Sequence, residues 1–204
     1  MSDSPFIFTV ENDIAVLRLN SPPRNEMNRH FFACFTKWCR KSLPEIRARG
    51  LIIQGAGRHF SSGADVHELR RMFRSNSRNA RELIVENTIC FQMIDRLSFP
   101  VVAVITGCCL GSGLELALCC DYRIASPTAV LGLPEVSLGV IPGCGGSVRL
   151  PGVVGKAVAL DMILRGKTML AGDALSINLV DGLHDKKRLR ERAEQYITGW
   201  WENR

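Results

Sequence analysis

Two glycine-rich turns follow apolar segments of the sequence and could bring backbone amides to a ligand. The first, residues 55–65, follows a predicted strand at residues 51–54, and the second, residues 107–113, follows the predicted strand Val101–Ile105 and leads into an apolar helix. Glycine lets the backbone approach a ligand closely, and free N–H groups at the start of a helix point towards whatever lies there. If both turns face one point, the amides of Ala64 and Ser112 could form an oxyanion hole for a carbonyl group.

Two glutamates lie in apolar surroundings, where a carboxylate is costly to bury. Glu115 follows the second turn inside the apolar helix, and Glu135 lies between Leu133 and Val136. A pair of carboxyl groups with different protonation is what general acid–base chemistry on the α and β carbons of a carbonyl compound requires. The alternative is that each is a structural acid whose oxygens are satisfied by backbone N–H groups.

Other catalytic and metal-binding motifs fail on spacing. The sequence contains no G-x-x-x-x-G-K-[ST] segment, the second turn lacks the order G-x-G-x-x-G, and Ser112 does not lie in a G-x-S-x-G elbow. The eight cysteines form no C-x-x-C pair, and we expect them to be buried and reduced. His30, His67 and His184 are isolated in the sequence, so no metal site is predicted.

The elements that must position these residues repeat a strand, a turn and a helix. An antiparallel strand pair is predicted at residues 6–10 and 14–19, and Asn28 is the predicted N-cap of a helix that ends before Pro44. A polar, arginine-rich stretch separates the first turn from a helix predicted at residues 81–97. Further helices are predicted at residues 155–164, at residues 171–177 and from Asp185 onward. The pattern predicts a layered α/β fold.

Composition limits the class of protein. The chain has 204 residues, of which 46% are hydrophobic and 23% charged, enough for one globular domain with a real core. No apolar run approaches the roughly 20 residues that a transmembrane helix needs. The N-terminal residues lack the basic and apolar regions of a secretory signal, so a cytoplasmic location is expected.

The net charge of +6 is concentrated in two segments of the sequence. Such basic clusters attract polyanions, either nucleic acid or a phosphate-bearing cofactor. A solvated helix face is an equally good interpretation of each cluster alone. The clusters consist of Arg70, Arg71, Arg74, Arg78 and Arg81 in the first segment, and of Lys186, Lys187, Arg188, Arg190 and Arg192 in the second.

Three segments of the sequence resemble the signature segments of the crotonase superfamily, the enoyl-CoA hydratase/isomerase family. They are residues 60–66 (FSSGADV), residues 107–117 (GCCLGSGLELA) and residues 132–146 (GLPEVSLGVIPGCGG). The resemblance spans residues 7–182 and implies a spiral of ββα units with a reduced C-terminal helical region. It implies a spiral core at residues 1–183, and a short basic helix at residues 184–204 as the remnant of a helical trimerisation region.

The resemblance also assigns site residues and a reaction. It implies that Glu115 and Glu135 are the hydratase acid pair, with Glu115 chiefly activating the water and Glu135 delivering the Cα proton. The oxyanion hole falls on Ala64 and Ser112. The implied acyl-CoA contacts are Arg24, Met27, Arg58, Ser62, Ala64, Val66, Gly111, Pro142 and Gly143. Coenzyme A is expected only as part of the thioester substrate, with no other cofactor, no metal and a homo-oligomer, a trimer or hexamer by resemblance.

Two departures and three functions stay open at this point. Ser112 stands where the family usually has glycine, and fewer helices follow Leu183 than in most family members. The main hypothesis is hydration of an α,β-unsaturated acyl-CoA to the 3-hydroxyacyl-CoA, or the reverse dehydration. The alternatives are an enoyl-CoA isomerase or other crotonase-type enzyme that uses Glu135 alone, and a weakly catalytic CoA-binding or RNA-binding member of the family.

Overall fold

A computed structural model of the chain describes residues 4–75 and 78–203, and within these ranges all side chains except those of residues 73–75 and 78–80. Arg74 and Arg78 of the first basic cluster therefore lie outside the described side chains. The strands are β1 (Phe6–Glu11), β2 (Ile14–Leu19), β3 (Gly50–Gly55), β4 (Val101–Ile105), β5 (Cys108–Leu110), β6 (Tyr122–Ala125), β7 (Val130–Gly132), β8 (Thr168–Leu170) and β9 (Gly182–Leu183).

Eight helices accompany these strands in the described part of the chain. They are α1 (Arg29–Lys41), α2 (Val66–Ser75), α3 (Arg78–Asp95), α4 (Ser112–Ala117), α5 (Gly146–Val154), α6 (Lys156–Arg165), α7 (Ala171–Ser176) and α8 (Leu189–Glu202). The strands form a six-stranded sheet in the order β1-β2-β3-β4-β6-β9 and a three-stranded sheet in the order β5-β7-β8. Only the β1–β2 pair is antiparallel in the large sheet, because the other strands are joined through helical crossovers.

The aromatic residues of α1 build the core against one face of the large sheet. Phe31 and Phe35 stack with ring centroids 5.3 Å apart, and Phe6 of β1 contacts both rings edge to face. Phe91 of α3 contacts Phe35 from the other side. The helix begins as predicted, because the Asn28 side chain accepts a hydrogen bond from the Phe31 amide at 2.9 Å.

Helix α8 packs on the opposite face of the large sheet. Strand residues alternate between the two faces. Leu189, Ala193 and Ile197 form a second buried cluster with strand side chains of that face, namely Ile52, Val102, Val104 and Ile124. The division into a core at residues 1–183 and a separate tail stays a prediction, but α8 itself belongs to the packed structure.

The first clear difference from the predicted elements is α2, which replaces the expected polar stretch. Val66, Leu69 and Met72 recur every three residues and line one side of this helix. The arginines between them obscure this helical period in the sequence. Helix α4 begins at Ser112, whereas the sequence pattern predicts a start near Leu114. Strands β5, β7 and β8 form a small sheet that strand patterns alone did not predict.

All eight cysteines are free thiols, and six of them are buried, as predicted. Among the described residues, no helix is both long and apolar enough to cross a bilayer.

Candidate active site

The two glycine-rich turns lie side by side. The Ser61 amide donates to the Cys108 carbonyl oxygen at 3.0 Å, and the Leu110 amide donates to the Ser61 carbonyl oxygen at 3.0 Å. Gly63 has a φ of +91°, and a Cβ there would stand 2.7 Å from the Leu110 oxygen and 3.3 Å from the Ser112 nitrogen. Only glycine satisfies both the backbone angle and the close approach. This contact brings Ala64 and Ser112 to one place.

Ala64 and Ser112 line the same cavity as the two glutamates, and its volume is about 1340 Å³. Ser112 is the first residue of α4, so its N–H has no partner within the helix. The Met27 amide donates to the Gly63 carbonyl oxygen at 2.9 Å, which fixes the backbone just before Ala64. The geometry is compatible with two amides that point at one ligand atom, and the oxyanion hole itself stays a prediction.

The Glu115 side chain is buried, 1% exposed, and held by the loop that precedes α5. The amides of Cys144 and Gly146 both donate to its Oε1 atom, at 2.7 and 2.9 Å. Burial raises the pKa of Glu115, and the Gly146 and Cys144 hydrogen bonds oppose that rise. Because both of these hydrogen bonds end on Oε1, the Oε2 atom is committed to neither amide.

The close approach of this loop to Glu115 depends on Gly146. A Cβ at Gly146 would stand 3.0 Å from Glu115 Cγ and 3.1 Å from Oε1. Arg149, one turn further along α5, pairs with Asp95 of α3 at 3.3 Å. The positive charge of Arg149 also lowers the pKa of Glu115. The carboxylate therefore sits at the start of α5, where N–H groups and a nearby cation favour negative charge.

Glu135 occupies a different environment in the same cavity. It starts a 3-10 turn at Glu135–Leu138 and is 9% exposed. Its Oε2 atom has no hydrogen-bond partner among the described residues. Burial, together with the negative charge of Glu115, raises the pKa of Glu135 to about 7. A Cβ at Gly111 would stand 3.3 Å from Glu135 Oε1, so this acid lies next to the second turn.

The Ser112 side chain adds a polar contact that sequence reasoning did not anticipate. Ser112 lies three residues before Glu115 on α4, so the two side chains share a helix face. The hydroxyl interacts with the Glu115 carboxylate and with the Cys144 thiol. Both interactions lower a pKa that burial raises. The predicted departure at this position thus places a hydroxyl beside one of the two acids.

Most of the predicted ligand contacts line the cavity, but the two predicted arginines do not. The cavity wall includes Met27, Ser62, Ala64, Val66, Gly111, Pro142 and Gly143. Arg24 is exposed and pairs with Glu26 at 2.8 Å, and only its carbonyl oxygen, which accepts from the Ser62 amide at 2.9 Å, supports the turn. Arg58 is exposed and outside the cavity wall. Among the described side chains, the cations that do line the cavity are Arg29 and Arg71, which the sequence pattern did not single out as ligand contacts.

No group of three or more potential metal ligands occurs among the described residues. The polar side chains that line the cavity include the Glu115 and Glu135 carboxyl groups, the Ser112 hydroxyl, the Asn87 amide and the Arg29 and Arg71 guanidinium groups.

Comparison with known proteins places the chain in a family. The sequence profile of the enoyl-CoA hydratase/isomerase family matches residues 9–204. The chain is 36% identical over 186 residues to a Bacillus subtilis protein named "Probable enoyl-CoA hydratase", covering 91% of this chain and 71% of that protein. It is 41% identical over 191 residues to the fatty acid oxidation complex subunit alpha of Shewanella loihica, covering 90% of this chain but only 26% of that subunit.

The fold comparison agrees with the sequence comparison. A crystal structure of a Thermobifida fusca protein in complex with acetoacetyl-CoA superimposes with a TM-score of 0.86 at 25% identity, covering 98% of this chain and 81% of that one. The chain therefore belongs to the enoyl-CoA hydratase/isomerase family, within the crotonase superfamily, and is an enzyme of the hydratase-like, lyase type. The predicted family and α/β fold class are both confirmed.

Proposed function

We propose that this protein adds water across the Cα=Cβ bond of an enoyl-CoA thioester, or removes it in the reverse direction. The observation that carries the proposal is the pair of carboxyl groups on one cavity wall in unequal environments. Glu115 accepts two backbone hydrogen bonds, whereas Glu135 has an oxygen with no partner among the described residues and a pKa raised to about 7. Groups whose environments push their pKa values apart are suited to separate acid and base roles.

The thioester oxygen would bind between the amides of Ala64 and Ser112. Negative charge develops on that oxygen when the enolate forms, and one well-placed donor typically contributes about 3 kcal/mol to its stabilisation. The bound thioester would present Cα and Cβ to the two glutamates of the same cavity. The Thermobifida relative, crystallised with acetoacetyl-CoA, supports a CoA thioester as the ligand class.

The proton transfers balance with these two acids. Ionised Glu115 takes a proton from a water molecule whose oxygen bonds to Cβ, and the electrons of the double bond move to the thioester oxygen as the enolate. Protonated Glu135 then gives its proton to Cα as the enolate collapses. Proton exchange between the two carboxyl groups, or through solvent, restores the starting state.

The phosphates of the CoA moiety need cations at the cavity mouth, and Arg29 and Arg71 lie there. Both side chains are exposed and can therefore meet the nucleotide part of CoA in solvent. The predicted phosphate contacts at Arg24 and Arg58 stay predictions, because CoA can extend beyond the cavity wall.

Loss of enoyl absorbance on incubation with crotonyl-CoA tests this function, with a graded series of longer and cyclic enoyl-CoAs in parallel. We expect Glu115→Gln and Glu135→Gln each to lower kcat by about 100-fold or more, because each removes one proton-transfer group. Glu82→Gln, on the exposed side of α3, is the matched control and should leave the rate unchanged. An absence of turnover across the series, or wild-type rates in both variants, would refute the proposal.

A crotonase-type isomerase would behave differently in the same experiment. It would move the double bond through a single acid, so Glu115→Gln would retain most of the activity. Because the amides of Cys144 and Gly146 both bind Oε1 of Glu115, its Oε2 atom is committed to neither amide and could bind a water molecule, which supports the hydratase.

A further inference from the structure

One wall of the cavity is formed by α3, and it carries a polar residue that the proposed chemistry does not use. Leu83, Ile84 and Asn87 line the cavity at spacings that place them on one side of the helix. Helix α3 contacts the loop that precedes α5, because the Thr88 hydroxyl lies 2.8 Å from the Ile84 carbonyl oxygen and 2.9 Å from the Gly143 carbonyl oxygen. The amide of the next residue, Cys144, binds Glu115. Asn87 therefore lies next to the residue through which α3 contacts the loop that precedes α5.

Asn87 is buried without full hydrogen bonding. The residue is 5% exposed, and its Oδ1 atom accepts no hydrogen bond from any described residue. Leaving a buried polar group unpaired costs about 1–3 kcal/mol, so such groups need an explanation. The neighbouring wall residues Leu83, Ile84 and Phe32 are apolar and offer no partner.

We propose that Asn87 is a specificity-determining residue that selects acyl groups bearing a hydroxyl beyond Cβ. This inference rests on the proposed function and specifies its substrate class. A primary amide turned about its Cβ–Cγ bond presents either its oxygen or its NH₂ group to the cavity. A hydroxyl both donates and accepts, so it matches the amide in either orientation.

A charged acyl group fits this wall less well than a hydroxyl. Burying an ammonium or carboxylate needs an opposite charge, and Asn87 supplies only a neutral partner. Among the side chains that the structure describes, the charged groups that line the cavity are Arg29, Asp65, Glu68, Arg71, Glu115 and Glu135, and none of these lies on α3. A plain alkyl chain would fill the apolar part of the cavity but would leave the amide unpaired.

The test compares acyl groups that differ only in the hydroxyl. The substrates are trans-hexenoyl-CoA, unsaturated between Cα and Cβ, and its analogues with one hydroxyl on each successive carbon beyond Cβ. We expect at least one hydroxylated analogue to exceed the parent in kcat/KM by tenfold or more in the wild-type enzyme, because only its hydroxyl pairs with the buried amide. Asn87→Leu should remove this preference and raise kcat/KM for the parent compound.

The control and the contrary outcomes separate this inference from the proposed function. Gln92→Leu makes the same amide-to-leucine change on the exposed side of α3 and should keep the wild-type preference. If the wild-type enzyme hydrates parent and analogues equally, or if Asn87→Leu changes all rates by one common factor, Asn87 selects nothing while the hydratase function stands. A wild-type enzyme without any preference overturns the inference whether or not Asn87→Leu folds. If no compound is hydrated at all, the proposed function itself fails.

Discussion

At the scale of single residues, the two glutamates differ because their surroundings differ, not because their chemistry does. Glu115 receives two amide hydrogen bonds and lies within reach of Arg149, which offset part of the cost of burial. The Oε2 atom of Glu135 receives no hydrogen bond from any described residue, and the neighbouring Glu115 adds electrostatic repulsion. The pKa of Glu135 is therefore raised to about 7, whereas the rise that burial causes in the pKa of Glu115 is opposed by its hydrogen bonds and by Arg149.

The pKa of Glu135 should depend on the charge of Glu115. In Glu115→Gln the repulsion disappears, so the pKa of Glu135 should fall below about 7 but stay above its ordinary value, because burial is the larger cause of the shift. Carboxyl-labelled glutamate followed by NMR across a pH titration measures this directly. An unchanged pKa in Glu115→Gln would show that the two acids do not interact.

The pKa of Glu135 also determines the direction in which the hydration rate should change with pH. In the proposed reaction Glu135 gives a proton during hydration, so kcat/KM for hydration should fall as pH rises through about 7. Glu115 must be ionised to accept a proton, so the rate should also fall on the acidic side, where Glu115 becomes protonated.

At the scale of elements, the sequence predicted most strands, but not the contacts that hold the predicted site residues. The sequence could predict the strands β2, β3 and β4 and the Asn28 cap, because each depends on a local sequence pattern. Helix α2 was missed because its arginines mask a three-residue apolar spacing. The amides of Cys144 and Gly146 could not be predicted as partners of Glu115, because the contact joins residues 29 and 31 positions apart.

Helix α5 offers a matched pair of glycine substitutions. Gly146→Ala places a methyl group 3.0 Å from Glu115 Cγ, so the carboxylate must shift, and we expect kcat to fall by about tenfold or more. Gly152→Ala in the same helix meets nothing within 4 Å, and it should keep the wild-type rate and raise stability by about 0.5–1 kcal/mol. Steady-state hydration kinetics and urea denaturation of both variants check this, and equal kinetics in the two would contradict the role of Gly146.

At the scale of the whole molecule, the large sheet separates the cavity from helix α8. One face supports α1, α3 and the cavity, and the other face packs against α8. None of the described residues that line the cavity comes from α8. The two basic clusters contribute at different places. Arg71 of the first cluster lines the cavity. Lys186 of the second lies near the first turn, where its Nζ donates to the Gly57 carbonyl oxygen at 3.3 Å.

Removing a core side chain from α8 should therefore affect stability more than catalysis. Ile197 is 2% exposed, and Ile197→Ala should lower the free energy of unfolding by about 2–4 kcal/mol. The kcat/KM of the folded variant should stay within about threefold of wild type, because α8 and the cavity lie on opposite faces of the sheet. Thr198→Ala, one residue further and exposed, is the control in urea denaturation. Unchanged stability in Ile197→Ala would contradict the packing of α8 on the sheet.

The most direct measurement for the proposed reaction is the fate of solvent atoms in the product. Crotonyl-CoA is incubated with the enzyme in deuterium oxide enriched in heavy oxygen, and the product is analysed by mass spectrometry and NMR. We predict one heavy oxygen at Cβ and one deuterium at Cα, with both lost from the product when Glu115 and Glu135 are replaced together by glutamine. A product that carries deuterium but no solvent oxygen would contradict hydration.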